Sequence, residues 1–516
     1  MHSFLSLLLI YLGSCTAAVT IHDNRTLVSI TRRPGPGLAS VASTGHPVSH
    51  NAVDVGAIPS MLAAANGPSS RRLSSRRLST VEGCLQNPTA VETLAMIGVQ
   101  GINTGTADCP VTTGDIQEYL TEAADLLDLD VICEPNIEVR IDDAMRQPRI
   151  ADSAERVADL LGMSPRADVD SDDPLAPYQS NLQLINIDGA WKNAANSGKS
   201  PKDIILAIVD TGVDSSHPDL KDQMWTASDG SHGYNFVDND ENTADLNGHG
   251  THCAGIAAAQ TDNDVGIAGI ANVKIMALRA FGSDGTGGMM ATLQGLDWAV
   301  SHGATVSSHS YTSDGSSSIF LQAIQNAASV GHIVVVAAGN DGVNVDEQPR
   351  FPCSFSTSVP SMMCVGSTSS SSPPQVSFFS DTGSAVNIAA PGENIVSTWP
   401  GNRYAVLDGT SMATPHVAGV TAMLATLGLT GQDLTNAVLG SQSQKLVANG
   451  TTMNFGELDA QNAVLSSLGK APLTSSPSTS QGTTAAPASG AIRTFSSPVS
   501  ITVALGLATM IALSMY

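Results

Sequence analysis

Apolar residues are distributed unevenly along this chain. Between residues 200 and 430 they come in short unbroken runs, such as Ile204-Ile205-Leu206-Ala207-Ile208-Val209 and Ile333-Val334-Val335-Val336. An unbroken run of that length predicts a strand buried on both faces, as in a parallel sheet covered by helices. Lys274–Ala280, Thr305–Ser308 and Met363–Ser367 are expected as further strands. Thr292–Ser301 and Phe320–Val330 repeat their apolar residues at helical spacing, so they are expected as amphipathic helices. From Gly409 to Leu427 the chain is apolar nearly all round, which predicts a core helix. Strands alternating with helices predict an α/β fold, a mostly parallel central sheet between two helical layers.

The flanks follow other patterns. Residues 1–18 read as a signal peptide, with Phe4–Leu12 as its apolar core and small residues after it. Residues 19–81 are a low-complexity pro-region rich in Ser, Pro and Gly. It ends in a near-duplicate, Arg71-Arg72-Leu73-Ser74-Ser75 then Arg76-Arg77-Leu78-Ser79-Thr80, which is either a pair of processing sites or a solvated basic linker. Residues 82–143 are expected as a small α+β domain. Ile116, Leu120, Ala123, Ala124 and Leu127 keep helical spacing there, and Val131–Ile141 alternates like a strand. Residues 144–174 are an acidic, polar linker expected to hold a maturation site, and 175–468 form the main domain. A Ser/Thr/Pro-rich stalk spans 469–491. The end, 492–516, carries the apolar tail Val499–Tyr516 behind Ser489-Gly490-Ala491, the pattern of a GPI-attachment signal, with a tail anchor as the alternative.

Composition narrows the setting. Only 14% of residues are charged and the net charge is −24, which disfavours nucleic acid and anionic membrane surfaces as partners. Any membrane contact is expected only through the C-terminal anchor, and the protein is expected to be a monomer. Export through the secretory pathway to the cell surface or beyond makes Asn24 and Asn449 candidate glycosylation sites. Cys353 and Cys364 bracket a Ser- and Pro-rich loop and could pair; Cys253 reads as a buried free thiol. Cys84, Cys109 and Cys133 allow at most one bridge among them, and its pairing cannot be read.

The candidate chemistry is spread over distant segments. Ser411 stands in the first turn of the expected core helix, where unpaired N–H groups favour developing negative charge. Asp210 ends the 204–209 run, at the carboxyl edge where parallel sheets build sites. His249 lies in Asn247-Gly248-His249-Gly250-Thr251-His252-Cys253 ahead of a small-residue helix, and Asn340 closes Ala337-Ala338-Gly339-Asn340. Alone, each has a plainer reading: a cap, a turn, a core histidine. A serine nucleophile needs a base, an anion to orient the base, and a donor where the oxyanion forms. Together these segments offer all three.

In their order, Asp-Thr-Gly, His-Gly-Thr-His, Ala-Ala-Gly-Asn and Gly-Thr-Ser-Met-Ala resemble the signatures of the subtilisin-like serine proteases, and Cys253 makes the chain similar to the thermitase and proteinase K branches. The resemblance implies a three-layer subtilisin-like fold and hydrolysis of protein or peptide substrates. Ser411 would be the nucleophile, His249 the base, Asp210 its orienting carboxylate and Asn340 an oxyanion donor. It also implies a substrate cleft walled by Ser308, His309 and Ser310 on one side and by Ala337, Ala338 and Gly339 on the other. His309, Ser310 and Tyr311 are expected to place side chains where the family often has an aliphatic residue and glycines. Structural calcium is implied at Asp219 with the Gln260, Asp262, Val265 and Ile267 loop, and at a second site with Asp238 and Asp240. The 82–143 domain resembles the family's propeptide, an intramolecular inhibitor of a zymogen.

Overall fold

The computed structural model describes residues 21–32, 57–64, 75–87, 91–94, 99–103, 109–127, 129–141, 148–152, 154–161 and 167–473, apart from 372, 444 and 449. The expected signal, the apolar tail, Arg71-Arg72 and Asn449 lie outside the described residues. The N-terminal third gives β1 (Ile21–Arg32), α1 (Ile58–Ala64), α2 (Ser75–Leu85), β2 (Val91–Leu94), β3 (Val99–Asn103), α3 (Thr113–Leu127), β4 (Leu129–Arg140), β5 (Arg149–Ala151) and α4 (Ala154–Leu161). There follow α5 (Ser180–Leu184), α6 (Ile187–Ala195), β6 (Ile205–Asp210), β7 (Gly233–Asn235), α7 (His249–Ala258), β8 (Lys274–Arg279), β9 (Thr286–Gly288), α8 (Met289–Ser301), β10 (Val306–His309), α9 (Ser318–Ser329) and β11 (Ile333–Ala337). The rest is β12 (Met363–Thr368), β13 (Ile388–Pro391), β14 (Ile395–Trp399), β15 (Arg403–Leu407), α10 (Thr410–Thr426), α11 (Gly431–Leu439), β16 (Lys445–Ala448), β17 (Thr451–Gly456) and α12 (Ala460–Ser467).

The unbroken apolar runs become the sheet they predict. Seven strands lie in the order β13-β12-β11-β10-β6-β8-β7, and every neighbouring pair is parallel. Successive residues of a strand point to opposite faces. Accordingly Leu206, Ile208, Ile333 and Val335 join a core with Ala254 of α7 and Val417 of α10. Ala207, Val209, Val334 and Val336 join a second core with Leu293 of α8 and Ile324 of α9. Three layers result. Helix α10 is buried from Thr410 to Ala425, as its all-round apolarity requires.

A separate sheet sits over α8 and α9, in the order β2-β3-β1-β4-β9. Its small domain is larger than the expected 82–143 stretch, because its middle strand β1 comes from the pro-region read as low complexity. The alternation explains how so polar a segment earns a strand. Leu27 faces the α8–α9 core, while Val28 packs with Ile58, Val81, Ile102, Ile116 and Leu120 under the small domain's own helices. Cys84 and Cys109 are joined there, and Cys133 is free. Arg76 and Arg77 lie in helix α2, not on an extended strip. The expected 144–174 linker also carries structure: β5 pairs with β15, and Val157 of α4 is buried in the main core. No helix among the described residues is long and apolar enough to cross a membrane.

Candidate active site

The carboxyl edge of the parallel sheet and the N-termini of α7 and α10 bring Asp210, His249 and Ser411 into one buried site. Asp210 Oδ1 accepts from His249 Nδ1 at 2.7 Å and from the backbone of Thr211 at 2.8 Å. The close approach needs glycine at 250: a Cβ there would lie 2.1 Å from the Gly212 carbonyl oxygen. Asp245, which sequence reasoning missed, locks the loop. Its carboxylate accepts from Gly248 N, Thr251 N and the hydroxyls of Thr211 and Thr251. Burial alone would keep the His249 imidazole neutral, but the Asp210 carboxylate, with Cys253 beside it, holds its pKa well above the ordinary value of 6.5. His249 Nε2 is buried with no hydrogen-bond partner. Ser411 Oγ donates to the Ser310 carbonyl over 3.3 Å. Cys253 bridges the two, its Sγ 3.9 Å from His249 Nδ1 and donating to the Ser411 carbonyl at 3.4 Å. It is buried and free, and burial pushes its thiol pKa up. His252 turns the other way, its Nε2 between the carbonyls of Ile395 and Ala405, so it shares no site with His249.

Asn340 is oriented by its carbonyl end. Its Oδ1 accepts from the backbone N and the hydroxyl of Thr410, at 2.8 and 3.0 Å, which turns the amide's NH2 end away from Thr410. Beside it, Gly339 holds φ +118°, and a Cβ there would meet Asp381 Oδ2 at 2.3 Å.

The cleft next to Ser411 is filled by the small domain. Strand β4 pairs antiparallel with β9, setting Glu138, Val139 and Arg140 opposite Gly288, Gly287 and Thr286. On its other side Arg140 exchanges both backbone hydrogen bonds with Thr312, at 3.0 and 2.9 Å. Glu134 meanwhile caps α9: its carboxylate accepts from Ser318 N at 2.9 Å and from the hydroxyls of Ser317 and Ser318. An anion at a helix N-terminus is stabilising by about 0.3–1 kcal/mol.

One expectation for the cleft needs correction. His309 does not face the substrate side. The alternation of β10 sends Ser308 and Ser310 one way, and Ser310 Oγ donates to the Ser411 carbonyl at 3.0 Å. Ser307, His309 and Tyr311 go the other way, into a buried line of hydrogen bonds. His309 contacts the Tyr311 hydroxyl and Ser307 Oγ at 2.7 Å each, Ser307 Oγ contacts His332 Nε2 at 2.8 Å, and His332 Nδ1 contacts the Ala304 carbonyl at 2.8 Å. Burial lowers the pKa of His309 to about 3 and of His332 to about 4, so both are neutral. The carbonyl can only accept, which fixes every direction: Tyr311 donates to His309, His309 to Ser307, Ser307 to His332, and His332 to Ala304.

The two expected cation loops behave differently. Asp219 is buried, and desolvation raises its pKa to about 7 against only Ile267 N and the Asn263 amide as donors. Asp173, also missed in the sequence, is buried nearby; it accepts from Asp262 N and Asn263 N and groups with Asp172 and Asp262. Under-solvated carboxylates gathered with further oxygens fit a hard cation such as calcium. The Asp238–Asp240 loop does not fit one, which corrects the second expected site. Asn235 Oδ1 is committed to Val237 N and Asp238 N, so its amide NH2 points at Asp238 and Asp240 at 3.1 and 2.9 Å. Arg279 Nη1 adds a positive charge 3.3 Å from Asp238. Donors already stand where an ion would.

Of the predicted pairs, Cys353 and Cys364 are disulfide-bonded. Asn24 lies in strand β1.

A parallel three-layer sheet with a serine, a histidine and an aspartate converging at its carboxyl edge defines a hydrolase of the serine endopeptidase class. Comparison with known proteins agrees. The subtilase family profile matches residues 201–456. Thermitase of Thermoactinomyces vulgaris is 40% identical over 296 residues, which covers 56% of this chain and 99% of thermitase. A thermophilic serine proteinase of Bacillus sp. strain AK1 is 38% identical over 288 residues, covering 56% of this chain and 67% of that protein. A solved protease structure from Pseudoalteromonas arctica PAMC 21717 is similar with a TM-score of 0.50 and 28% identity, covering 58% of this chain and 100% of that one. The chain belongs to the subtilase family.

Proposed function

We propose that this endopeptidase is made as a secreted, autoinhibited precursor and cuts peptide bonds through an acyl-enzyme on Ser411. His249 Nε2 takes the Ser411 proton as the hydroxyl attacks the scissile carbonyl, then returns it to the leaving amine. A rotation about the Ser411 Cα–Cβ bond, exchanging Ser310 O for His249 Nε2, prepares the attack. Asp210 keeps the imidazole in the tautomer with Nδ1 protonated and stabilises it when charged. The Asn340 amide and the backbone N–H of Ser411 hold the oxyanion at the positive end of α10. The observation that carries this reading is the 2.7 Å Asp210–His249 bond, which leaves Nε2 buried and unpartnered, with the Cys253 thiol linking His249 to the Ser411 backbone.

The inhibitory role is assigned to the 82–143 domain together with β1. Its support is β4, which occupies the cleft as an added strand and so keeps a second peptide out. Calcium is assigned to Asp173, Asp219 and the Gln260–Ile267 loop, where it would be structural and take no part in the reaction. The signal-like N-terminus and the stalk with its apolar tail support export and attachment to the cell surface. Fluorophosphonate labelling tests the central claim: the processed wild type is expected to react and Ser411→Ala is not, whereas an unlabelled wild type would refute it. Phosphatidylinositol-specific phospholipase C is expected to release the protein from cells; retention would point to a tail anchor.

A further inference from the structure

The cleft holds a cation that the reaction chemistry leaves unused. Ser313 and Phe351 exchange backbone hydrogen bonds at 2.7 and 2.9 Å, which lays the chain around Arg350 alongside the segment that follows β10. From there Arg350 spans the gap between the two walls of the cleft. Its Nη2 and Nε donate to Asp341 Oδ2, the residue after Asn340, at 2.7 and 3.1 Å. Its Nη1 lies 3.3 Å from Asp314, two residues beyond the Thr312 that pairs with β4. The buried Asp381 is 3.8 Å from Nε, and its Oδ2 has no hydrogen-bond partner. A Cβ on Gly339 would sit 3.5 Å from Arg350 Cγ, so the arginine stem runs against the Ala337–Gly339 wall.

The register of β4 shows which position of a bound peptide this guanidinium meets. Arg140 is opposite Thr312 in an antiparallel pair, so a peptide held in that register presents the residue two positions further on opposite Ser310. The Ser310 carbonyl is the one that Ser411 Oγ touches. That position therefore carries the carbonyl under attack, and its side chain lies between the Ser308–Ser310 and Ala337–Gly339 walls that Arg350 closes. In this chain's own sequence the residue two beyond Arg140 is Asp142.

We infer that Arg350 makes the enzyme select an acidic residue, aspartate or glutamate, immediately before the bond it cuts; the inference rests on the Ser411 reading. The Arg350 side chain is only 12% exposed, whereas Asp314 and Asp341 are 41% and 46% exposed. When a substrate carboxylate takes over part of the guanidinium, water can resolvate the displaced aspartate. An apolar side chain would instead desolvate the guanidinium without replacing its acceptors.

The test uses the processed enzyme and quenched peptides that differ only at this position. Aspartate and glutamate are expected to give a kcat/KM about 10- to 100-fold above asparagine and leucine, the range of a charge-assisted hydrogen bond. Arg350→Gln is expected to bring that ratio close to one, and Arg350→Lys to retain part of it. A wild type that prefers leucine, phenylalanine, alanine or arginine overturns the proposal, as does an acidic preference that survives in Arg350→Gln. Should Arg350→Gln not fold, the fragment first released from the wild-type precursor decides. Mass spectrometry is expected to show it ending at Asp142; an apolar or basic end overturns the inference. Fluorophosphonate labelling without acidic preference would sink the Arg350 argument alone, whereas absence of labelling would sink the serine mechanism itself.

Discussion

Two lines of buried polar groups meet at β10, and one difference between them separates chemistry from architecture. In the line from Tyr311 through His309, Ser307 and His332 to Ala304, each link has a partner and the direction of every bond is fixed. In the line from Asp210 through His249 the series stops at an unpartnered Nε2, and Ser411, linked to His249 through the Cys253 thiol, makes a hydrogen bond of a long 3.3 Å. Both histidines are buried, at 2% and 3% exposure, so burial does not tell them apart. Saturation does. A closed line holds its protons in place; an open one has somewhere to send them.

The sharpest way to break this comparison is to remove one imidazole from each line. His249→Ala is expected to lower kcat/KM by about 10⁴-fold or more and to leave the precursor uncut. His309→Ala is expected to leave kcat within several-fold, and a loss comparable to that of His249→Ala would mean the closed line takes part in the reaction. Next in size, Asn340→Ala is expected to cost about 10²–10³ in kcat with little change in KM, read from steady-state kinetics. An equal loss in substrate binding would contradict the oxyanion role.

Smaller effects concern stability. The Asp219 loop resembles the open line in leaving buried charge uncompensated, so a chelator is expected to lower the unfolding free energy. The loss is about 3 kcal/mol where calcium had been present at a hundred times its Kd, measured by thermal melting with and without the ion. An unchanged Tm would remove calcium from the account. His309→Ala strands the Tyr311 and Ser307 hydroxyls and is expected to cost about 1–3 kcal/mol in denaturant unfolding.

The two lines also separate on the pH axis. His309 has a folded pKa of about 3, below its ordinary 6.5. Its stabilising contribution is therefore complete above pH 6.5 and is lost as pH falls from there towards 3, at about 1.4 kcal/mol per unit for each such histidine. His309→Gln should flatten that slope by one histidine's share. For His249 the shift is upward, and the neutral form is the base, so kcat/KM should rise with pH through a midpoint above 6.5.

Much of this was legible in the sequence, for reasons that also mark the limits. Residues 205–210 and 333–337 announce themselves because a strand buried on both faces must be apolar throughout. The four motifs were visible because the chemistry restricts which residues can stand there. Strand β1 was hidden because only one of its faces meets the α8–α9 core and many of its residues are polar. His309 was placed on the wrong face because both faces of β10 are buried, so alternation gives parity without direction. Asp173 and Arg350 escaped notice because they have partners far away in sequence: Arg350 meets Asp314 across 36 positions that local spacing cannot bridge. Asp245, whose backbone partners are local, ties its loop to Thr211, 34 positions away.

The three-residue ladder between β4 and β9 has a consequence in time. If the chain is cut after Asp142, the severed end is still joined to β4, the edge of a folded four-stranded body (β2-β3-β1-β4), and severing one peptide link removes none of the backbone bonds that seat it on β9. The first product is then still seated in the cleft it was cut in. Its departure is set by how fast that body unfolds or is digested, so the onset of proteolysis is a clock written into the departing fragment and its disulfide between Cys84 and Cys109.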